Sequence, residues 1–286
     1  MRLDKPEAGM KIALIQMNSV SDKAANLAAA EALITRVVAE EKPDWIALPE
    51  VWDFIGGDRN AKWAAGEEIG AGPASCLMAD LAARHGVFIH AGSLLERVAD
   101  EPRLYNTTVA YDRAGREVAR YRKIHMFDIV APDGTEYRES AAFKPGAGLA
   151  AYACEGFTVG CAICYDLRFP ALFQALVDRG ADLIALPSAF TLQTGKDHWE
   201  VLCRARAIET QTYFCAPAQT GAHTVGKPPR EDTRHTYGHS LVVDPWGHVV
   251  ARASDGAGYV AARVAPARVA AARGMIPVAR HRQPIG

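Results

Sequence analysis

Marking the apolar positions along this sequence produces an alternation of strands and helices that runs almost from end to end. Lys11–Met17 is a nearly unbroken apolar run, the pattern of a strand buried on both faces. A helix follows over about Asp22–Glu40, with Ala30, Leu33, Ile34, Val37 and Val38 at relative positions 0, 3, 4, 7 and 8. Asp44–Pro49 is the next strand and ends at Glu50. Pro73 opens a second helix in the favoured first turn, with Leu77, Met78, Leu81 and Ala82 on its apolar face. Val87–Ser93, Tyr105–Tyr111 and Glu117–Arg122 read as strands, the last two forming a hairpin about Asp112–Gly115. Residues 123–147 are polar, carry Gly and Pro and lack periodicity. A loop this long inside a compact domain is usually functional.

Strands resume at Leu149–Cys154 and Phe157–Cys164, a helix starts near Pro170, and Asp182–Pro187 is again a strand. The helix expected over Lys196–Thr210 carries Val201, Leu202, Ala205 and Ile208 on one face. Strands at Tyr213–Ala218, Ser240–Asp244, His248–Ala253 and Tyr259–Ala262 follow, with a turn at Asp244–Gly247. The Ala/Arg-rich tail from Ala265 reads as a short helix and then an extended arm. A single domain over residues 1–286 is expected, with its core at about 10–265 and the arm at 266–286.

One segment is echoed. Asp44–Glu50 (DWIALPE) recurs as Asp182–Ser188 (DLIALPS), each after a helix and each leading into a loop. Two buried strands can converge on such a sequence. Alternatively, the chain holds two pseudo-symmetric halves, each a sheet with helices outside. Stacking those sheets gives an α/β fold of four layers, an αββα sandwich.

Composition adds limits. Of 286 residues, 49% are hydrophobic and 23% charged, with a net charge of −1, so a nucleic-acid or anionic-membrane partner has no electrostatic support. No apolar run has the length of a membrane span, and the residues before Met10, an alternative start to Met1, do not read as a secretory signal. The six cysteines are scattered through apolar segments and are expected to be reduced thiols in the cytoplasm.

Cys164 stands where a strand turns into a helix through Tyr165–Pro170. A thiol on such a junction is rigidly presented, and nearby N–H groups and the positive helix end favour its thiolate. The bland alternative is a buried structural cysteine. Cys161 and Cys164 also form a C-x-x-C pair, but on a strand this spacing points the thiols to opposite faces, so neither zinc nor disulfide exchange is expected. Glu50, at the mouth of an apolar strand, suits a general base whose pKa burial would raise; the alternative is an edge charge facing solvent. Lys123 enters the long loop and suits an oxyanion, unless it is one of three solvated basic residues at a strand end. Glu139, within that loop, attracts no notice alone. His198, His223, His235 and His239 form no metal-ligand spacing and are expected at the surface or in supporting positions.

Together these residues and their settings resemble the nitrilase, or carbon–nitrogen hydrolase, superfamily. The resemblance rests on Leu48–Glu50, Tyr121–His125, Cys164–Pro170, Leu186–Phe190, His198–Glu200, Arg204–Glu209, Tyr237–Ser240 and Asp244–Gly247, in the family's order. Within the family, Ala189–Thr191 and Tyr237–Ser240 look most like the deaminated glutathione amidases, with omega-amidases next. The resemblance implies Glu50, Lys123 and Cys164 as a catalytic triad, Glu139 as a second glutamate, and an αββα sandwich that assembles as a homodimer or larger. It further implies an oxyanion site from Lys123 and the Tyr165 N–H. Arg168, four residues beyond Cys164 near the start of the following helix, reads as gripping a substrate carboxylate in the same pocket, the alternative being a structural ion pair with Asp166 or another acid. Phe190 and Thr194 are expected on the opposite wall, where the resemblance implies substrate contact. The expected activity is hydrolysis of a small carboxylated ω-amide, with no metal or organic cofactor. A nitrilase or carbamoylase and, more remotely, a non-catalytic binding module are the alternatives.

Overall fold

The computed structural model describes residues 9–131, 134–224 and 233–283. The stretch before residue 9, where the alternative start was raised, lies outside them.

The first sheet holds seven strands: β1 (Met10–Gln16), β2 (Trp45–Ala47), β3 (Phe88–His90), β4 (Leu94–Glu96), β5 (Tyr105–Tyr111), β6 (Glu117–Arg122) and β17 (Gly258–Val264). At its centre β1, β2 and β3 run parallel, with β17 antiparallel along all of β1 and β5 antiparallel beyond β3. The second sheet, in the order β16-β15-β12-β11-β10-β9, is built from β9 (Ala151–Cys154), β10 (Phe157–Cys161), β11 (Leu183–Ala185), β12 (Tyr213–Ala216), β15 (Leu241–Val243) and β16 (Val249–Arg252). Here β10, β11 and β12 are the parallel strands, again between antiparallel neighbours.

The echoed segment therefore occupies β2 and β11, each the middle of a parallel triplet. Even its leading aspartate repeats its bonds. The Lys11 N–H donates to the Asp44 carboxylate and the Thr158 N–H to that of Asp182, both at 2.9 Å. Equivalent position and equivalent bonding favour the reading as two pseudo-symmetric halves.

Alternation along the strands builds the layers. Ile12, Leu14, Trp45 and Ala47 face the second sheet and pack in one core with its Val159, Cys161, Leu183 and Ala185. Their neighbours Ala13, Ile15, Ile46 and Leu48 face the other way. There they meet Ile34 and Val37 of α1 (Lys23–Glu41) and Met78 and Leu81 of α3 (Pro73–His85). Behind the second sheet lie α4 (Pro170–Asp178) and α5 (Leu192–Thr210), burying Phe173 and Leu176, and Trp199, Cys203 and Ala207. Both faces of each sheet are covered, which is why the strands read as continuous apolar runs. The four-layer αββα sandwich is thus present.

Several expectations need correction. The apolar stripe assigned to α5 is not its buried face: Val201 and Ile208 are 67% and 50% exposed. The buried side carries Arg206 and Thr210 instead, each with its hydrogen bonding satisfied inside, Arg206 Nε to the Leu167 carbonyl at 2.9 Å and Thr210 Oγ1 to the Arg206 carbonyl at 2.6 Å. A hydropathy stripe cannot register a buried polar group whose partner is distant in sequence. The loop 123–147 holds a small hairpin, β7 (Asp128–Val130) with β8 (Glu136–Arg138), and a 3₁₀ turn at Glu139–Ala141. A short helix α2 (Arg59–Ala65) and a second hairpin, β13 (Thr220–Ala222) with β14 (His235–Tyr237), were not expected. The strand expected over Phe157–Cys164 stops at Cys161, and the tail forms α6 (Pro266–Met275) and α7 (Val278–His281) rather than an extended arm.

Candidate active site

Cys164 follows β10 at the start of a 3₁₀ turn, Cys164–Arg168, and its backbone adopts φ +46°, a left-handed conformation that a side chain rarely takes. Such a conformation costs roughly 1–2 kcal/mol in an ordinary residue and persists only where neighbours hold it. Two neighbours do. The Cys164 N–H donates to the Pro187 carbonyl at 2.9 Å. Asp166, fully buried, accepts from the Ile163 N–H at 2.9 Å and the Tyr121 hydroxyl at 2.7 Å on one oxygen, and from His125 Nδ1 at 2.7 Å on the other. Asp166 thereby ties the turn at Cys164 to both ends of the Tyr121–His125 segment that carries Lys123.

Glu50 sits just past β2. Lys123 leaves β6 as its backbone N–H donates to the Asn106 carbonyl at 2.9 Å. The Lys123 ammonium donates to Glu50 Oε1 and to both oxygens of Glu139, each at 2.9 Å. The hairpin in the long loop exists to deliver that third group: Glu139 opens the 3₁₀ turn after β8, and its Oε2 accepts from the Phe127 N–H at 2.6 Å. Asn106, on β5, bridges the two carboxylates, with Nδ2 at 2.9 Å from Glu50 and 3.3 Å from Glu139.

The charges follow from this arrangement. Burial pushes the Glu50 carboxyl up, but the ammonium of Lys123, the hydrogen bond from Cys164 and the charge of Arg234 together hold it below the usual carboxylate range. Burial works against the charge on Lys123 as well, yet Glu139 and Glu50 hold its pKa above the ordinary lysine value. The Cys164 thiol is pushed well above its usual value by burial and by the Glu50 charge. Two sequence expectations are reversed: Glu50 is lowered rather than raised, and the field does not favour a resting thiolate. Both directions favour a neutral thiol beside an ionised carboxylate.

A cavity of about 230 Å³ opens onto these groups. Glu50, Lys123, Glu139, Cys164, Tyr165, Phe190 and Thr194 all line it. Arg168 does not. Its guanidinium carbon lies 5.5 Å from the centre of the Phe190 ring and 6.0 Å from that of Tyr165, with Nη2 3.3 Å from His198 Nδ1. The reason is the turn type. In an α-helix the fourth residue on nearly regains the first one's direction, whereas at three residues per turn it is rotated by about 120°. Sequence reasoning also missed Asn106, Asp166, Lys62 and Arg234, of which all but Asp166 line the cavity. A buried asparagine within the strand Tyr105–Tyr111 was the one available signal, since strands disfavour that residue.

The carbon–nitrogen hydrolase family model matches residues 11–274. The deaminated glutathione amidase of Synechocystis sp. (strain PCC 6803 / GT-S) is 39% identical over 273 residues, covering 94% of this chain and 97% of that protein. The human deaminated glutathione amidase is 39% identical over 277 residues, covering 96% and 82%. Among solved structures, the C. elegans NitFhit protein superposes with a TM-score of 0.87 at 38% identity, over 96% of this chain and 66% of that one. Saccharomyces cerevisiae Nit3, a member of branch 10 of the nitrilase superfamily, gives a TM-score of 0.83 at 29% identity, over 95% of both chains. With a family match over nearly its whole length and the family's chemistry gathered on one cavity, this chain belongs to the carbon–nitrogen hydrolase family, within the nitrilase superfamily.

Proposed function

We propose that this protein hydrolyses the amide bond of a small carboxylated ω-amide through a thioester on Cys164, with deaminated glutathione as the first candidate and α-ketoglutaramate as the second. The observation that carries this is the neutral thiol facing an ionised Glu50 on one enclosed cavity, with Lys123 between two carboxylates beside them. As Sγ attacks the amide carbon, Glu50 takes the thiol proton. The carbonyl oxygen becomes an oxyanion, met by the Lys123 ammonium and by the Tyr165 N–H, for which a 3₁₀ turn starting at Cys164 offers no internal acceptor. A well-placed donor of this kind contributes about 3–4 kcal/mol. The C–N bond then breaks as Glu50 returns the proton to the departing amine. Water, giving its proton to Glu50, attacks the thioester, and the acid leaves as the thiol is restored. Glu139 holds Lys123 in place, and no step calls for a metal or organic cofactor.

Phe190 and Thr194, on the cavity wall, are read as meeting the acyl half, while Arg168, behind the Phe190 ring and off the cavity lining, acts on its carboxylate only through its field. The two deaminated glutathione amidases, each 39% identical to this chain, support the choice of substrate. Measuring amine or ammonia release across carboxylated ω-amides, uncharged amides and nitriles tests the assignment. The carboxylated ω-amides are expected to give the highest kcat/KM, and a nitrile or neutral amide at the top of that series overturns it.

The reading includes a cytoplasmic homodimer. All six cysteines are free, as a reducing compartment keeps them. Val201 and Ile208, seven residues apart on the outer side of α5, are exposed beside the half-exposed Trp246, an apolar face that a second copy would cover. Light scattering is expected to give twice the 30.8 kDa of one chain, and Val201→Glu to shift it toward the monomer mass. A monomer mass for the unmodified protein at micromolar concentration refutes the dimer.

A further inference from the structure

The residue after Glu50 is strained. Val51 takes φ +44°, a left-handed conformation that a β-branched side chain almost never adopts. Such a backbone persists only where its surroundings hold it, and two fully buried residues do so. Ser93 donates its N–H to the Pro49 carbonyl, accepts from the Val51 N–H on Oγ at 3.0 Å, and accepts from the Trp52 N–H on its own carbonyl. Gln219 donates through Nε2 to the Glu50 carbonyl at 3.0 Å and to Ser19 Oγ at 2.8 Å, while its Oε1 accepts from the Ser19 N–H. A carbonyl can only accept, so the orientation of the Gln219 amide is fixed. Ser19 Oγ closes the ring of bonds by donating to the Trp52 carbonyl at 2.8 Å.

Gln219 reaches further than Ser93. Its backbone N–H donates to the Ser188 carbonyl at 2.9 Å, and Ser188 is the echo of Glu50 at the end of DLIALPS. One residue thus bonds the carbonyls of both echoed positions, the first with its side chain and the second with its main chain. The neighbouring Pro187 carbonyl receives the Cys164 N–H. A path of three hydrogen bonds therefore runs from the backbone of Glu50 through Gln219 and Pro187–Ser188 to the backbone of Cys164, and every member of it is buried. We propose that Gln219, assisted by Ser93, is a positioning residue that sets the separation of Glu50 from Cys164 and keeps the Glu50–Val51 turn in its strained form. It lies off the cavity lining and acts through the backbone of Glu50 alone. Its service to a general base rests on the amidase reading above and deepens it.

Gln219→Met keeps the volume and removes the donor, while Ser93→Ala, a milder change, removes only the hydroxyl that receives the Val51 N–H. With deaminated glutathione as substrate, kcat is expected to fall by about 10- to 100-fold in the first and by less in the second, with KM nearly unchanged. The deciding measurement needs no substrate. It is the rate of Cys164 alkylation by iodoacetamide against pH, followed by peptide mass so that the partly exposed Cys76 does not contribute. After burial, the Glu50 charge is the next influence that pushes the Cys164 thiol up. With Glu50 free to drift that influence weakens, and the profile is expected to move to lower pH by about one unit. Cys161→Ala, which loosens the same core without touching either carbonyl, is expected to leave the profile in place. A profile that stays put in both Gln219→Met and Ser93→Ala, or that moves equally in Cys161→Ala, overturns the positioning role while leaving the amidase reading intact. A shifted profile in a protein that cleaves no amide sustains the positioning and removes the amidase reading.

Discussion

Cys164→Ala leaves a folded protein whose kcat falls by on the order of 10⁴- to 10⁶-fold, the scale on which loss of an enzyme's nucleophile is felt. The fold survives because the change removes one atom at the wall of an existing cavity and does not alter the supports of the turn. Asp166 still accepts from Ile163, Tyr121 and His125, and the backbone N–H at 164 still reaches Pro187. Cys161→Ala is the control. That side chain is fully buried between the sheets, and burial pushes its thiol up to about 12, so it takes no part in proton transfer. Its truncation costs about 1 kcal/mol of stability and keeps most of the activity. Steady-state kinetics beside a thermal melt decide the matter, and undiminished turnover in Cys164→Ala would discard the thioester mechanism.

Lys123→Ala acts on stability and catalysis together. The ammonium is 2% exposed and stands between carboxylates that are 5% and 13% exposed, so its removal leaves Glu50 and Glu139 as like charges without their shared counter-ion. Breaking a buried pair from one side costs about 3–5 kcal/mol. The sign of the accompanying pH effect is fixed. Lys123 is the largest of the influences that lower the Glu50 carboxyl against burial, so without it the base moves upward. The acid limb of kcat/KM, which follows protonation of Glu50, therefore moves to higher pH in the variant. Activity at the optimum falls by about 10²- to 10³-fold as the oxyanion loses its charged donor. An acid limb that stays where it is in the unmodified protein argues that Lys123 does not set the charge of Glu50.

What could be read in advance was whatever repeats along the chain. The apolar runs of β1 and β11 and the spacing of α1 are local signals with a period, and they located both sheets and two of the four layers' helices. Glu50, Lys123 and Cys164 were legible as candidates because each stands at a strand end or a loop entrance, places where a core residue is not needed, whereas Glu139 emerged only through the family resemblance. What escaped was pairing across the fold. Nothing near Arg206 in sequence announces that its guanidinium is satisfied by Leu167, so α5 was turned the wrong way. Asn106 and Asp166 act by bridging segments that are 33 to 56 and 3 to 45 residues away. Arg168 was misplaced by a turn geometry that no single residue type signals, and Arg234 went unnoticed because its partner, the Ala189 carbonyl, is 45 residues away.

The echoed halves divide the chemistry between them. Glu50, Asn106 and Lys123 come from the first sheet and Glu139 from the loop that leaves it, whereas Cys164 comes from the second. In the proposed mechanism proton transfer crosses the seam where the sheets dock, joined at that point by the Tyr121 hydroxyl on Asp166. Catalysis becomes a gauge of that docking. A slip between the layers, with every strand still hydrogen-bonded and every helix still wound, parts base from nucleophile. On heating, turnover should accordingly vanish ahead of the far-ultraviolet dichroism, and an ancestor built from one such half would have had to borrow its missing partner from a second copy of itself.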